Sequence, residues 1–273
     1  MSYFNNMVRP CLLDRLRATQ VTGIRPNYIY GLLYNWYAIT DNRIANSGFD
    51  SPNNSDYIGL IDYVNASYNV APNNFGVGNH LKSCRQVSSP LGGDCATDIH
   101  PRWNANANNW GRDTLKMGLL PGGYRKDGIF FDAPTGTILG TKTIVTGSET
   151  NYITRLLAST NNNVLTRSFE KFADGTRIRL TRLATPSELL IPEGTIIPIY
   201  YKGNNNFLYD CVRINDRIWL AQNLAETKWS DGTPIPFAGV NGVNFSNAEW
   251  DALTTPAQCA YNNDVSTWAY TLP

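Results

Sequence analysis

The chain has 273 residues, a net charge of +1 and a charged fraction of 16%. This length can hold one large domain or two small ones around a proper core. Because 23 Lys and Arg are balanced by 22 Asp and Glu, the composition argues against a protein that binds nucleic acid through a basic surface.

The N-terminus and the hydropathy pattern predict where the protein is made. No apolar run approaches the roughly 20 residues that span a bilayer, so we expect no membrane insertion. The first 20 residues place Asn and Arg where a signal peptide needs an uninterrupted apolar core. We therefore expect a protein that is made in the cytoplasm and is not exported by the general secretory route.

Residues 1–29 differ from the rest of the chain. After Pro10, which is acceptable in the first turn of a helix, Leu12, Leu13 and Leu16 form a short apolar face. A single helix this short is marginal alone and needs a partner surface. It either packs on its own domain or serves as an arm that docks on another subunit.

The next stretch, residues 30–38, holds four aromatic rings in nine residues. Aromatic side chains bury large areas, so we expect a core strand or a helix start here, without chemistry of its own. Residues 53–64 follow with polar capping residues and apolar residues at helical spacing, which predicts the clearest helix of the chain. Its apolar stripe should face the core.

The middle of the chain predicts strands around a long irregular segment. Residues 73–118 are rich in Gly, Asn and Trp, and so long a segment is usually functional or pinned by aromatic residues. Residues 118–132 predict a hairpin with its turn at Pro-Gly-Gly, and residues 138–145, 152–158 and 176–183 predict further strands. In the last of these, charged and apolar residues alternate with period two.

The C-terminal third begins with a joint rich in Pro and Gly at residues 186–194. Beyond it, residues 196–201 and 207–224 predict strands separated by an Asn-rich turn. Residues 230–236 predict a turn. Residues 246–253 predict a short helix in which Ser246 and Glu249 form a capping box.

The five cysteines are scattered, and no pair has the close spacing of a zinc site. Cys84 and Cys95 bracket a loop and would pair if oxidised, but we expect free buried thiols. The two histidines are too few for a catalytic triad or a three-histidine metal site, and we expect a structural role for His100. No nucleotide-binding or nucleophile motif occurs, so we expect no enzyme.

One segment has the composition of a ligand-binding surface. Trp103, Trp110 and the Asn-rich run between them, which includes Asn106 and Asn108, could form a sugar-binding face. Aromatic rings stack on the apolar faces of sugars, and amides bond to hydroxyl groups. The alternative is that both tryptophans pin a long loop.

Seven motifs and the predicted helix around Trp250 carry a resemblance to one family. The motifs are YGLLYNWYA (30–38), GFDSPNNSDYIGLIDYV (48–64), HLKSCRQVSSPLGGDCATDIHPRW (80–103), LLPGGYRKDGIFFD (119–132), TRIRLTRL (176–183), IWLAQNLAETKWSDGTPIP (218–236) and TTPAQCAYNND (254–264), and the helix lies between the last two of them. Together they resemble the Fibrobacter succinogenes major paralogous domain. The resemblance implies an α+β, C-type-lectin-like fold with twisted antiparallel sheets, two short helices and long irregular loops.

The sequence departs from the family pattern in two ways. Residues 136–143 read GTILGTKT where the family usually has an aromatic strand. The block that comes first in the family is C-terminal here, which divides the chain into a docking arm (1–29), a main domain (30–185), a connection (186–206) and a C-terminal block (207–273). This block completes either its own domain, as in a circular permutation, or a neighbouring protomer's domain, as in a swap.

The resemblance also bears on sites and function. It places variable ligand contacts at Asn151, Tyr152, Arg155 and the hairpin around Asn162. Lectin-like calcium sites need converging carboxylate and amide oxygens. The chain shows no EPN or WND motif for them, so we expect no cofactor and leave calcium as the open alternative.

Related scaffolds serve as binding tips in bacterial surface proteins and in phage receptor-binding proteins. Together with the lack of an export signal and the apolar N-terminal segment, this favours a non-enzymatic phage virion component, a decoration of the head or tail or a fibre-associated protein. Its expected partners are other virion proteins, reached through the arm, copies of itself in a homo-oligomer such as a trimer, and a host surface glycan. The alternative is a bacterial cell-surface adhesin module that binds carbohydrate.

Overall fold

A computed structural model describes residues 29–72, 74–170, 174–238 and 246–263. These residues form mostly antiparallel sheets with few helices, an α+β architecture. The helices are α1 (Trp36–Thr40), α2 (Asn54–Ser67), α3 (Val77–Leu81) and α4 (Asn247–Asp251). None of the helices in the described ranges is long and apolar enough to cross a membrane.

Twelve strands form within the described ranges. They are β1 (Leu33–Tyr34), β2 (Tyr124–Lys126), β3 (Ile129–Phe131), β4 (Gly136–Ile144), β5 (Asn151–Ala158), β6 (Leu165–Glu170), β7 (Thr181–Leu183), β8 (Ile196–Lys202), β9 (Leu208–Ile214), β10 (Arg217–Leu220), β11 (Phe237–Ala238) and β12 (Gln258–Cys259). The strand orders are β7-β10-β9-β8, β4-β5-β6 and β1-β12-β11, with β2 and β3 as a separate hairpin. Among the strand pairs of these four sheets, only β11 and β12 run in parallel.

Residues 30–38 lie in the core, as predicted. β1 pairs with β12, and α1 begins directly after it. Asn35 caps α1 because its side-chain oxygen accepts a hydrogen bond from the backbone N–H of Ala38. Tyr30 and Tyr34 are both buried.

The predicted helix at residues 53–64 is α2. Asn53 and Asp56 form the capping box at its start, and Tyr57, Leu60 and Val64 face the core. The short helix with Ser246 and Glu249 as its capping box also forms. The predicted cap Ser246 is the N-cap of α4, and the N-cap of α2, Asn53, is the first of the polar residues predicted to cap that helix.

The hairpin within residues 118–132 was predicted with its turn in the wrong place. Its turn is Asp127–Gly128, and both residues have positive φ. This is the backbone that a two-residue hairpin turn needs, and Asp-Gly is a preferred sequence for it. Pro121, Gly122 and Gly123 precede the first strand instead.

The predicted strand at residues 176–183 forms a continuous ladder only at its end, in β7. Its start makes single bridges to three other elements: Gly175 to Arg125, Thr176 to Tyr34 and Arg177 to Leu139. The segment therefore runs through the centre of the molecule and links the sheets. Both of its sides are buried, so its period-two pattern does not mark a solvent face.

Arg177 and Arg179 point from this central segment into loops without regular structure. Arg177 donates to the carbonyl oxygens of Gly31 and Gly122. Arg179 donates to the carbonyl oxygens of Met117 and Leu220. Burial lowers the pKa of Arg177 to about 10 and that of Arg179 to about 9. The two guanidinium groups thus supply hydrogen bonds to buried backbone carbonyls, of which three lie in loops and one, that of Leu220, lies at the end of β10.

Candidate ligand-binding face

The long irregular segment is fixed from inside by Lys82, which directly follows α3. Its Nζ donates to the carbonyl oxygens of Asn109, Ala158 and Asn161, the last two at 3.0 and 2.9 Å. Burial lowers the pKa of Lys82 to about 7. One ammonium group therefore ties the Asn-rich loop to the turn after β5.

Trp103 is the second anchor of this segment. It is 2% exposed, and its Nε1 donates to the carbonyl oxygen of Leu119 at 3.0 Å. Because neither ring face reaches solvent, Trp103 cannot stack on a sugar. Of the two roles considered for this tryptophan, the structure shows the one in which it pins the loop.

A disulfide between Cys84 and Cys95 closes the start of the same segment. The expectation that these two thiols are free is wrong, because the loop between them returns on itself and brings their Cα atoms to 5.1 Å. Beside the disulfide, Arg85 donates to the carbonyl oxygens of Ile99 and Pro101. Cys211 and Cys259 are free and buried, as expected.

On the outside of these anchors lies a cluster of three side chains, Phe75, Trp110 and Arg112, which we call the aromatic–arginine cluster. All three are half-buried. The ring centroids of Phe75 and Trp110 are 6.4 Å apart, with their planes at 46°. The Cζ of Arg112 lies 3.8 Å from the Phe75 centroid and 4.7 Å from the Trp110 centroid.

Amide-bearing loops border this cluster. Asn106 is half-buried, and its Oδ1 accepts hydrogen bonds from the backbone N–H groups of Asn108 and Asn109. Asn108 is exposed. Asn109, next to Trp110, donates from Nδ2 to the carbonyl oxygen of Thr160 at 3.0 Å.

Asn162 reaches the cluster from the other side. A Cβ at Gly76, which follows Phe75 and has φ +95°, would overlap the carbonyl oxygen of Asn162. The two backbones can touch only because this residue is glycine. The structure thus brings Asn106, Asn108, Trp110 and Asn162 to one face, which we call the loop face.

Three other residues predicted as ligand contacts lie away from the loop face. Asn151 is seven residues before Ala158 on β5, about 23 Å along an extended strand. Tyr152 is fully buried, and its hydroxyl pairs with that of Thr176 at 3.2 Å. Arg155 is 5% exposed and donates to the side chains of Asn54 and Thr166. Tyr152, near the start of β5, and Arg155, in its middle, thus support the fold.

The predicted docking residues Leu12, Leu13 and Leu16 lie outside the described residues. Among the described residues, no three His, Cys, Asp or Glu side chains cluster in a way that could hold a metal ion. His100 contacts the Tyr30 hydroxyl through Nδ1 at 3.4 Å.

Phe75, Lys82 and Arg112 were missed by sequence reasoning. The sequence Trp-Gly-Arg at residues 110–112 did hold a signal for Arg112. A Cβ at Gly111 would overlap the carbonyl oxygen of Ser83, so the small residue lets the loop lie against its neighbour, while the side chains of Trp110 and Arg112 contact each other. No local pattern pointed to Lys82, whose three acceptors are 27 or more residues away.

No family model, no curated protein and no solved structure matches the chain.

Proposed function

We propose that this protein is a non-enzymatic display protein whose loop face binds a glycan on a host surface. The observation that carries the proposal is the aromatic–arginine cluster beside the amide-bearing loops. Half-exposed ring faces stack on the apolar faces of sugars, and amide groups both donate to and accept from hydroxyl groups. Lys82 and Trp103 hold these groups in place, which lowers the ordering cost of binding.

A binding assay with matched variants tests the role of the loop face. We expect the purified protein to bind at least one class of glycan on an array. Trp110→Ala should weaken that binding roughly tenfold or more, as truncation of a central aromatic contact does. Phe131→Ala is the matched control, because Phe131 is a half-exposed aromatic on the separate β2–β3 hairpin. Its binding should equal that of the wild type.

Two outcomes would contradict the glycan proposal. The first is a folded protein that binds no glycan on the array. The second is glycan binding that Trp110→Ala and Phe131→Ala reduce equally, since that result would place the site away from the loop face.

The particular setting that we propose is a phage virion, as a head or tail decoration or a fibre-associated protein with a C-type-lectin-like fold. Its support is the resemblance of the seven sequence motifs to a family whose related scaffolds act as binding tips. Mass spectrometry of purified particles tests this setting. The chain should be found in them at a fixed copy number, and its absence from washed particles would overturn the proposal.

A bacterial surface adhesin is the second candidate, and the disulfide is compatible with both candidates. Disulfides persist in oxidising places such as the periplasm, the cell surface and the exterior of a virion, and they are rare in the cytosol. Surface labelling of intact cells separates the two candidates, because only the adhesin would be accessible on uninfected cells.

A further inference from the structure

Among the residues that the structure describes, none forms a hydrogen bond or an ion pair with the guanidinium of Arg112. Within the described part of the chain seven ion pairs form, and none of them includes Arg112. The contacts of its guanidinium are the rings of Phe75 and Trp110. The backbone N–H of Arg112 donates to the carbonyl oxygen of Asn79 at 2.7 Å, which fixes the position of the residue on the loop.

Other arginines of the molecule use their N–H groups internally. Arg182 pairs with Glu188, and Arg213 pairs with Glu193 at 3.0 Å. Arg179 donates to backbone carbonyls and to Asn223. Arg125 is also stacked on two rings, those of Phe130 and Trp250, but it is fully buried. Arg112 differs from it because its stacked guanidinium belongs to a residue that is only half-buried.

The geometry of stacking determines which part of Arg112 a ligand can reach. Ring contacts occupy the flat faces of a guanidinium and leave its N–H groups at the edge, in the plane of the group. That edge forms two parallel hydrogen bonds to an oxyanion such as a carboxylate. Because Arg112 is only half-buried, this edge can be reached from solvent.

The local charge is also unbalanced. Burial alone lowers the pKa of Arg112, without a contribution from any carboxylate. Asp113, its neighbour in the chain, is buried and accepts a hydrogen bond from the backbone N–H of Gly118 at 2.7 Å. The positive charge of Arg112 is therefore left for a ligand on the loop face.

We propose that the loop face selects acidic glycans, with Arg112 bound through its N–H edge to the carboxylate of a sugar while Trp110 and Phe75 stack on neighbouring rings. This inference rests on the proposed glycan-binding function and adds a charge requirement to it. Uronic acids and nine-carbon acidic sugars both carry such a carboxylate. Sulfated sugars offer an oxyanion of another geometry and serve as the comparison.

The experiment uses an array on which each carboxylated glycan is paired with its neutral counterpart, for example polygalacturonate with its methyl ester and sialylated with desialylated oligosaccharides. Sulfated glycans form a third arm. Wild-type protein should bind the carboxylated member of a pair at least about tenfold more strongly than the neutral one. Raising the salt concentration should reduce this preference.

Three variants assign the preference to Arg112. Arg112→Gln should lose it, bringing the carboxylated and neutral members to within about twofold. Arg112→Lys should keep only part of it, because lysine carries the charge without the planar N–H edge. Arg167→Gln is the matched control, since Arg167 is an exposed arginine on β6, and it should bind as the wild type does.

The outcomes separate this inference from the function on which it rests. Equal binding of carboxylated and neutral glycans, or a preference that survives Arg112→Gln, would overturn the charge requirement and leave glycan binding standing. A preference for the sulfated arm alone would overturn the carboxylate assignment. Absence of all glycan binding would overturn both. Thermal unfolding of Arg112→Gln at the wild-type temperature shows that the variant is folded.

Discussion

Glu226 is a buried carboxyl group of the C-terminal block. It lies next to the turn between β8 and β9. Its carboxylate accepts hydrogen bonds from the hydroxyl of Tyr209 at 2.8 Å and from the backbone N–H of Asn205. A Cβ on Gly203 would overlap its Oε1, so the site is closed to water. Burial raises the pKa of Glu226 to about 7, against the lowering effect of its two hydrogen bonds.

This raised pKa predicts how stability depends on pH. Between about pH 4.5 and 7 the folded state binds more protons than the unfolded state. The contribution of Glu226 to the free energy of unfolding is therefore complete below pH 4.5 and is lost as pH rises through 7. We expect Glu226→Gln to match the wild type at pH 4.5 and to exceed its stability by about 1–3 kcal/mol at pH 7.5.

Urea unfolding of both proteins across this pH range measures the difference. The range stops at pH 7.5 because the pKa of Lys82 is lowered to about 7, which makes the free energy of unfolding rise with pH above that point. Burial raises the pKa of Asp174 to about 6, so the free energy of unfolding should also fall with rising pH in both proteins because of Asp174. Parallel curves for the two proteins would show that Glu226 does not titrate in this range.

At the scale of elements, the disulfide between Cys84 and Cys95 closes a loop and should stabilise the folded protein. The two cysteines are 11 residues apart, and a loop of this length gains about 2–3 kcal/mol from the crosslink in the chain-entropy description. The double variant Cys84→Ala/Cys95→Ala should therefore unfold roughly 4–12 °C lower than the wild type.

Reduction provides the control for this variant. Dithiothreitol should lower the melting temperature of the wild type to that of the double variant and leave the double variant unchanged, because Cys211 and Cys259 are buried free thiols. A wild-type melting temperature that does not respond to reduction, together with an intact mass showing both thiols protonated, would contradict the disulfide in solution.

Elements with a strong local signal were predictable from sequence, and elements defined by distant contacts were not. Capping residues and helical spacing gave α2 and α4, since both signals lie within one or two turns. The hairpin turn was misplaced because Pro-Gly-Gly was preferred over Asp127–Gly128, although Asp-Gly is the stronger hairpin signal.

The central segment shows why the rest could not be predicted. Arg177 and Arg179 alternate with apolar residues, a pattern that usually marks a strand with one solvent face. They are buried because loops from other parts of the chain bring carbonyl oxygens to them, and those loops carry no local signal. The same holds for the loop face, where Trp103 and Trp110 were indistinguishable in sequence but differ in burial.

At the scale of the whole molecule, the two ends of the described chain meet. β1 pairs with β12 through Leu33 with Cys259 and Tyr34 with Gln258. Asn35 strengthens the contact: its Nδ2 donates to the carbonyl oxygen of Thr255 at 2.9 Å, and its Oδ1 accepts from the N–H of Ala257 at 3.0 Å. In this structure the C-terminal block thus packs on the same chain.

This closure predicts how a variant without residues 1–28 behaves. If residues 1–28 are an arm that docks on another subunit, the shortened chain should unfold within about 2 °C of the full chain, a shift that corresponds to less than about 1 kcal/mol. A larger loss of stability would show that these residues pack on their own domain. If the block completes its own domain, the shortened protein should keep this stability when it is diluted to a monomer, as followed by light scattering. A loss of stability on dissociation would instead indicate a swapped block.

The same variant tests the proposed docking arm with Leu12, Leu13 and Leu16. If the arm holds the protein on a virion, the shortened chain should be folded and absent from purified particles, because a separate apolar anchor contributes to attachment but not to the domain core. The triple variant Leu12→Ser/Leu13→Ser/Leu16→Ser should give the same loss with the chain length preserved. Particles that incorporate either variant at the wild-type copy number would show that residues 1–28 are not the attachment site.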